Sequence, residues 1–323
     1  MNFIGIDISK ATFNVAILNN RTLSDAQFEN TKKGFTSFVK WIKSINKETS
    51  IFCLEATGIY GLALAKFLYK KKQSVLVVNP IKTNAFCKME MQRNKTDKAD
   101  AQSIARYCHH LHCKGDIEKN KFTPKSEEFE RLQYLVVRLE QLSKIKNQEQ
   151  NRLGVSLDKA ATKSIKAMIY FIDNQRINIG KEIENIIKNN ANLDKQVELL
   201  ISINGIGQRT AWSILANLGD ISFFNNAKQV TSYAGLNPRK EDSGTSVHRS
   251  RLSKMGNKRL RKSLFMPALV ATRYNPLMID LYSRLLERGK PKKVALCAVM
   301  RKLLVLSYGV LKSGKPFDPC YAK

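Results

Sequence analysis

Short apolar runs separated by polar breaks dominate the first eighty residues. Phe3-Ile4-Gly5-Ile6 is followed by Thr12-Phe13-Asn14-Val15-Ala16-Ile17-Leu18, which predicts a β-hairpin turning near Ser9–Ala11. A third strand is predicted over Ala26–Glu29, a helix over Lys33–Ile45 and a short apolar strand over Ser50–Leu54. Gly58 and Gly61 open a helix from Leu62 to Lys70, and Ser74–Val78 is a further strand stopped by Asn79-Pro80. Strands alternating with helices predict an α/β sheet covered by helices. Thr96 is placed to cap a helix that runs to about Tyr107.

The texture then changes. No proline occurs between Pro124 and Pro238, and two long amphipathic stretches fill much of that span. In the second, Ile165, Ile169, Ile172, Arg176, Ile179, Ile183 and Ile186 step by four and three, a heptad seam with one polar position. A helical hairpin or coiled coil linking two domains follows, packed either within the chain or against a second copy. From Leu199 the chain reads as helical and basic. Asn204-Gly205-Ile206-Gly207-Gln208-Arg209 looks like the turn of a helix–hairpin–helix. There Gly205 and Gly207 would bring backbone N–H groups, and Arg209 its charge, to a phosphate; a tight packing corner is the structural alternative.

Charge narrows the partners. Lys+Arg 55 against Asp+Glu 27 gives a formal +28, an excess that repels itself unless a polyanion shares the surface. Nucleic acid is the expected partner. Six cysteines form no CxxC pair, and His109, His110 and His112 beside Cys108 and Cys113 lack a second spaced ligand pair, so free thiols are expected rather than zinc. Asp7 interrupts the N-terminal apolar run, and no stretch reads as long enough to span a membrane. A cytoplasmic protein is expected.

Four acids stand out. Asp7 occupies a strand position where an apolar residue belongs, and a buried carboxylate must pair, protonate or meet a cation. Glu55 ends the fourth strand, and a neighbouring pair of strands would bring it to the same end of the sheet as Asp7. Asp97 and Asp100, three apart at a helix start, share a face. Singly, each has an ordinary explanation: a nucleotide-side aspartate of an actin-like ATPase for Asp7, a helix cap for Glu55, first-turn acids for Asp97 and Asp100. The ATPase reading lacks a glycine-rich adenosine element late in the chain. Jointly, the four suit a pair of hard divalent ions at a scissile phosphate.

Between Asn237 and Lys262 nine Lys or Arg residues meet only Glu241 and Asp242. Ser243 precedes Gly244 in this polar, electropositive loop; as a residue it suits a turn or a phosphate contact as well as a nucleophile, and Ser246, Ser250 and Ser253 compete with it. Arg239, Lys240, Arg249, Arg251, Lys254, Arg259 and Arg261 are candidate phosphate contacts.

Taken in order, Gly5-Ile6-Asp7-Ile8-Ser9-Lys10, Leu54-Glu55-Ala56-Thr57-Gly58, Asn94-Lys95-Thr96-Asp97-Lys98-Ala99-Asp100-Ala101, the Gly-Ile-Gly turn and Lys254-Met255-Gly256-Asn257-Lys258-Arg259-Leu260-Arg261 resemble the DEDD transposases of the "IS-one-ten" insertion-sequence family, which includes the Piv-like invertases. The resemblance covers nearly the whole chain. It implies an RNase H-like (RuvC-like) catalytic domain over 1–120, a coiled-coil connection over 121–198 and a mainly α C-terminal transposase domain over 199–323. It further implies that Asp7, Glu55, Asp97 and Asp100 hold Mg²⁺ or Mn²⁺. Ser243 matches the nucleophile that forms a phosphoserine link to DNA, with Ser246 the rival three residues on. A noncoding bridge RNA, and homodimers that pair into a tetramer, are also implied. The activity expected is excision and integration of a mobile element. Two rivals remain: a RuvC-type nuclease using water, and a non-catalytic nucleic-acid-binding regulator.

Overall fold

The computed structural model describes residues 1–19, 22–45, 49–56, 58–91, 96–243 and 247–320, with side chains given outside 240–250. The chain divides into two compact units, Met1–Pro124 and Lys125–Lys323.

The first unit runs β1 (Asn2–Ile8), β2 (Thr12–Asn19), β3 (Thr22–Glu29), α1 (Lys32–Ile45), β4 (Ser50–Glu55), α2 (Tyr60–Lys70), β5 (Ser74–Val78), α3 (Pro80–Met89), α4 (Asp97–Cys113) and α5 (Ile117–Asn120). Its sheet has the order β3-β2-β1-β4-β5; β1, β2 and β3 pair antiparallel, whereas β4 lies parallel to both β1 and β5. The period of two sorts the strand residues between two cores. Ile4, Ile6, Ile8, Phe52 and Leu54 face one core with Phe35 and Phe38 of α1 and Leu64 of α2. Phe3, Ile51 and Cys53 face the other, with Phe86 of α3 and Ile104, Tyr107 and Cys108 of α4. Strands buried on both sides need near-continuous apolar runs, which is why these segments are so plain in the sequence.

Gly5 sits on the second face and sets how close α4 comes. A Cβ built on it would lie 2.1 Å from the Ala101 carbonyl oxygen and 2.2 Å from the Ala105 nitrogen. Ala101 and Ala105 are fully buried, so strand and helix backbones touch there.

Asn79-Pro80 stops β5 at Val78 as expected and also starts α3: the Asn79 side chain accepts from the Ile81 N–H, and Pro80 has the fixed φ that suits a first helical position. Two sequence expectations are revised in this unit. β3 begins at Thr22 and α4 runs on to Cys113, both longer than expected. The histidines of α4 pack as rings, His109 and His112 against Phe3 and His110 against Phe86.

The second unit contains α6 (Glu127–Leu153), α7 (Lys159–Lys188), α8 (Ala191–Ile201), α9 (Gln208–Leu218), α10 (Ala227–Tyr233), β6 (Pro238–Ser243), β7 (Val247–Leu252), α11 (Lys258–Ser263), α12 (Phe265–Tyr274), α13 (Pro276–Glu287) and α14 (Lys292–Ser313). α6 and α7 form the expected hairpin. Its root joins the core of this unit, Leu132, Val136, Leu139, Ile183 and Ile187 packing with Trp212 and Leu215 of α9. At the polar seam position, the Arg176 guanidinium donates to Asp173 (2.9 Å), which also accepts from Lys146 of α6 (2.6 Å). Farther along α7, Met168, Tyr170 and Phe171 are exposed.

Two more expectations change here. The polar stretch around Ser243 is a two-stranded hairpin, with Arg239 opposite Arg251, Glu241 opposite Arg249 and Ser243 opposite Val247. Residues 244–246, Ser246 included, lie outside the described residues. In addition, α14 is long and apolar enough by composition to cross a membrane, contrary to the sequence reading. Ala295, Val299, Leu303, Leu304 and Ser307 of α14 are all fully buried in the unit.

Because α4 rests on the β1 backbone, Gly5→Val forces the two apart. It is expected to cost about 3 kcal/mol or more by overpacking a site with no room to relax, read as a lower urea midpoint for the first unit. An unchanged midpoint would show that the contact does not constrain the fold.

Candidate active site

Strand register brings the first two acids together. β1 and β4 are parallel neighbours with Ile6 opposite Leu54, so Asp7 and Glu55 follow side by side at the same sheet end. Both alternate onto the α3/α4 face, since Ile6 and Leu54 point to the other core. Asp97 and Asp100 lie in the first turn of α4, whose start is fixed by the Thr96 side chain accepting from the Ala99 N–H (3.2 Å). The Gly5 contact, at Ala101, lies one residue beyond Asp100 and seats this turn beside Asp7.

Electrostatics register the gathering. Burial pushes the Asp7 carboxyl from 3.8 up to about 6, and the charges of Asp100, Asp97 and Glu55 push in the same direction, against a backbone hydrogen bond from Ile8. Among the described residues, no three acidic, imidazole or thiol side chains stand at metal-coordinating spacing. The four carboxylates thus converge within electrostatic reach without closing a cage, as mutually repelling like charges do.

Two supports escaped the sequence reading. Thr83 of α3, almost fully buried, donates its hydroxyl to Glu55 and also reaches the Pro80 carbonyl (3.0 Å). Asp25 of β3 accepts from Gln102 (3.0 and 3.2 Å) and pairs with Lys98 (2.9 Å), so it grips α4 beside both aspartates. Lys98 is largely exposed, and such a pair contributes only about 0–1 kcal/mol; its effect is orientation rather than stability. Both partners act through tertiary neighbours, and a one-dimensional pattern carries no mark of them.

In the second unit, Gly205 has φ +105° and its absent Cβ would meet that of Ala271 at 2.8 Å. The turn is therefore a close-packed corner; Gly207, with open space around it, begins α9. Arg209, Arg239, Arg251, Lys254 and Arg259 are exposed. Arg261 donates to the Ala234 carbonyl (2.8 Å) and so braces the neighbouring turn. Ser243 ends β6; its side chain and those of Lys240 and Arg249 lie outside the described residues.

Comparison with known proteins gives the family. A profile of DEDD transposases of the IS110 type matches residues 4–161, and a second, described as Transposase IS116/IS110/IS902 family, matches residues 197–283. The pilin gene-inverting protein of Moraxella lacunata is 35% identical over 328 aligned positions, covering 98% of this chain and 97% of that protein. The chain belongs to the IS110 family of DEDD transposases. Shorter matches include the transposase of insertion sequence element IS1111A from Coxiella burnetii, 33% identical over 93 residues, or 29% of this chain and 26% of that protein. The transposase is accordingly a DNA recombinase, and its mixed α/β sheet and mainly helical C-terminal part suit that family.

Asp7 of the transposase holds its proton more firmly folded than unfolded. Its ionisation therefore weakens the fold, fully so above about pH 6, and that penalty fades as pH falls from there towards the unfolded value of 3.8. Asp7→Asn is expected to raise stability at about pH 7 by about 1–2 kcal/mol, the site's partial exposure discounting the full shift, and to have no effect at about pH 4. Denaturant titration in metal-free buffer measures it; an equal gain at both pH values would show that charge repulsion is not the cause.

Proposed function

We propose that the transposase exchanges DNA strands through a serine–DNA intermediate, with Asp7, Glu55, Asp97 and Asp100 as the ligands of divalent ions in a RuvC-like domain. The convergence of the other three carboxylates on a half-buried Asp7 carries this reading. The donor set is all oxygen and strongly negative, which suits hard ions such as Mg²⁺ or Mn²⁺. When bound, such ions polarise a scissile phosphate and stabilise the leaving oxygen.

The chain's own groups supply the rest. Ser243 Oγ forms a bond to phosphorus while one bridging P–O bond breaks; the departing strand leaves as a hydroxyl, taking up the proton that the serine gives up. Attack by a hydroxyl of a partner strand reverses the step and restores the serine. Thr83 holds Glu55, and Asp25 holds the start of α4 through Lys98 and Gln102. Exposed Arg239, Arg251, Lys254 and Arg259 neutralise backbone phosphates, contributing affinity rather than sequence choice. A bridge RNA that selects the DNA, and dimers pairing into a tetramer, complete the reading; the formal +28 is the observation that suits a second polyanion. The cytoplasm is where both nucleic acids are met.

Excision and integration of an element is the first outcome considered. The match over nearly the full length to a gene-inverting protein favours a second, inversion of a bounded DNA segment by the same chemistry. A plasmid carrying two ends in direct or inverted orientation separates them by its products.

With DNA bearing the recombination junction and Mg²⁺, a covalent protein–DNA adduct is expected on denaturing gels. Ser243→Ala and Asp7→Asn should each lower it by about a thousandfold or more. Strand cleavage that survives Ser243→Ala without an adduct would establish water as the nucleophile and a RuvC-type nuclease; an adduct that survives would move the nucleophile to Ser246. Full activity in Asp7→Asn would leave only a binding protein.

A further inference from the structure

The second unit contains a cleft of about 650 Å³ at the foot of the β6–β7 hairpin, within the range of about 300–1,000 Å³ that ligand sites occupy. Pro238 and Leu252, the register pair that closes the hairpin's root, form one wall. The first turns of α14 form the other, through Val294 and Cys297. Four cationic side chains rim it: Lys228 from α10, Arg251 from β7, and Lys293 and Arg301 from α14. Among the described residues, no Asp or Glu lines the cleft. Arg301 is held in place by donating to Asn237 Oδ1 (2.8 Å), which also accepts from the Thr231 hydroxyl (2.8 Å). The first turn of α14 carries no acid, so its backbone N–H groups add to the positive field.

We infer that this cleft binds one nucleotide unit of an unpaired nucleic-acid strand, its phosphates on Lys228, Arg251, Lys293 and Arg301 and its sugar and base against Val294, Leu252 and Cys297. An anion alone needs no apolar wall, and an apolar ligand needs no ring of cations. A nucleotide presents both surfaces at this spacing, and a cleft of this size holds one such unit rather than a duplex. Because Pro238 and Leu252 are the root of the hairpin whose far end carries Ser243, the bound unit fixes a strand relative to that hairpin. The inference rests on the strand-exchange reading above and adds to it a place where the strand is held.

Cys297 is half-buried in the wall and reports occupancy directly. The experiment measures alkylation of Cys297 by iodoacetamide, resolved from the other cysteines by peptide mass mapping, in the full chain with and without a single-stranded DNA of about 20 nucleotides. Wild-type protein should show Cys297 modified about fivefold or more slowly with the strand present. In Lys228→Ala/Lys293→Ala, both exposed lysines, the unfolding temperature should stay unchanged. Affinity for the strand should fall by about tenfold, the slope of log K against log salt should become shallower by about 1.4, and protection of Cys297 should disappear. Weaker binding with Cys297 still protected, or wild-type affinity in the double variant, overturns the inference and leaves strand exchange standing. Equal protection by millimolar thymidine monophosphate identifies a free-nucleotide site and overturns it as well. Wild-type protein that binds no strand at all overturns the recombination reading along with it.

Discussion

The contact between β1 and α4 at Gly5 is the constraint on which the candidate site depends. Packed layers of secondary structure are ordinarily kept apart by the side chains between them, as stacked sheets are by about 10 Å. Here Gly5, Ala101 and Ala105 reduce that layer almost to nothing, and the α4 backbone lies on the strand. The first turn of α4 carries two aspartates, and Asp7 lies two residues beyond Gly5 on the same face of the strand. Close backbone approach is thus converted into close approach of charge. Stability alone gives no reason to gather four carboxylates there, since the other three raise the cost of ionising Asp7. A site assembled at the expense of the fold's own electrostatics is a site kept for chemistry.

How such a cluster is held follows from the surrounding hydrogen bonds. Thr83 is buried and offers Glu55 a donor that water would otherwise supply. Asp25 holds Lys98 and Gln102, residues on either side of Asp100, so α4 is tied to β3 as well as to β1. The lysine stands between two aspartates in sequence while its own partner, Asp25, lies on the sheet, so it ties the start of the helix to β3. Positioning groups of this kind contribute little to stability and much to geometry.

The sheet and the four acids were legible in the sequence for one reason: strands buried on both faces leave apolar runs in which a carboxylate is conspicuous. Asp7 interrupts such a run, and the alternation that buries Ile6 and Leu54 fixes which way Asp7 and Glu55 face. What was illegible depends on context. Asn79-Pro80 ends a strand and starts a helix with the same two residues, and only the continuation shows which. Pro238–Ser243 and Val247–Leu252 carry Arg, Lys, Glu, Asp and Ser, residues poor in strand preference, so the hairpin reads as a loop. The Gly-Ile-Gly turn suits two purposes in sequence; the structure shows Gly205 filled against Ala271, which accounts for that glycine by packing alone. Thr83 and Asp25 act on other side chains, and nothing in their own neighbourhoods marks them.

The hairpin and the cleft at its root have a common physical logic. Register sets Arg239 directly opposite Arg251, which concentrates positive charge at the root of a two-stranded ribbon. Arg251 also rims the cleft, with Lys228, Lys293 and Arg301 around it. Charge gathered in this way is neutralised by a polyanion, so the segment that carries Ser243 is expected to be firmest when a strand is present. On the strand-exchange reading, divalent ions would lower the cost in the first unit and phosphates would lower it in the second, which would couple assembly on DNA to readiness for the reaction.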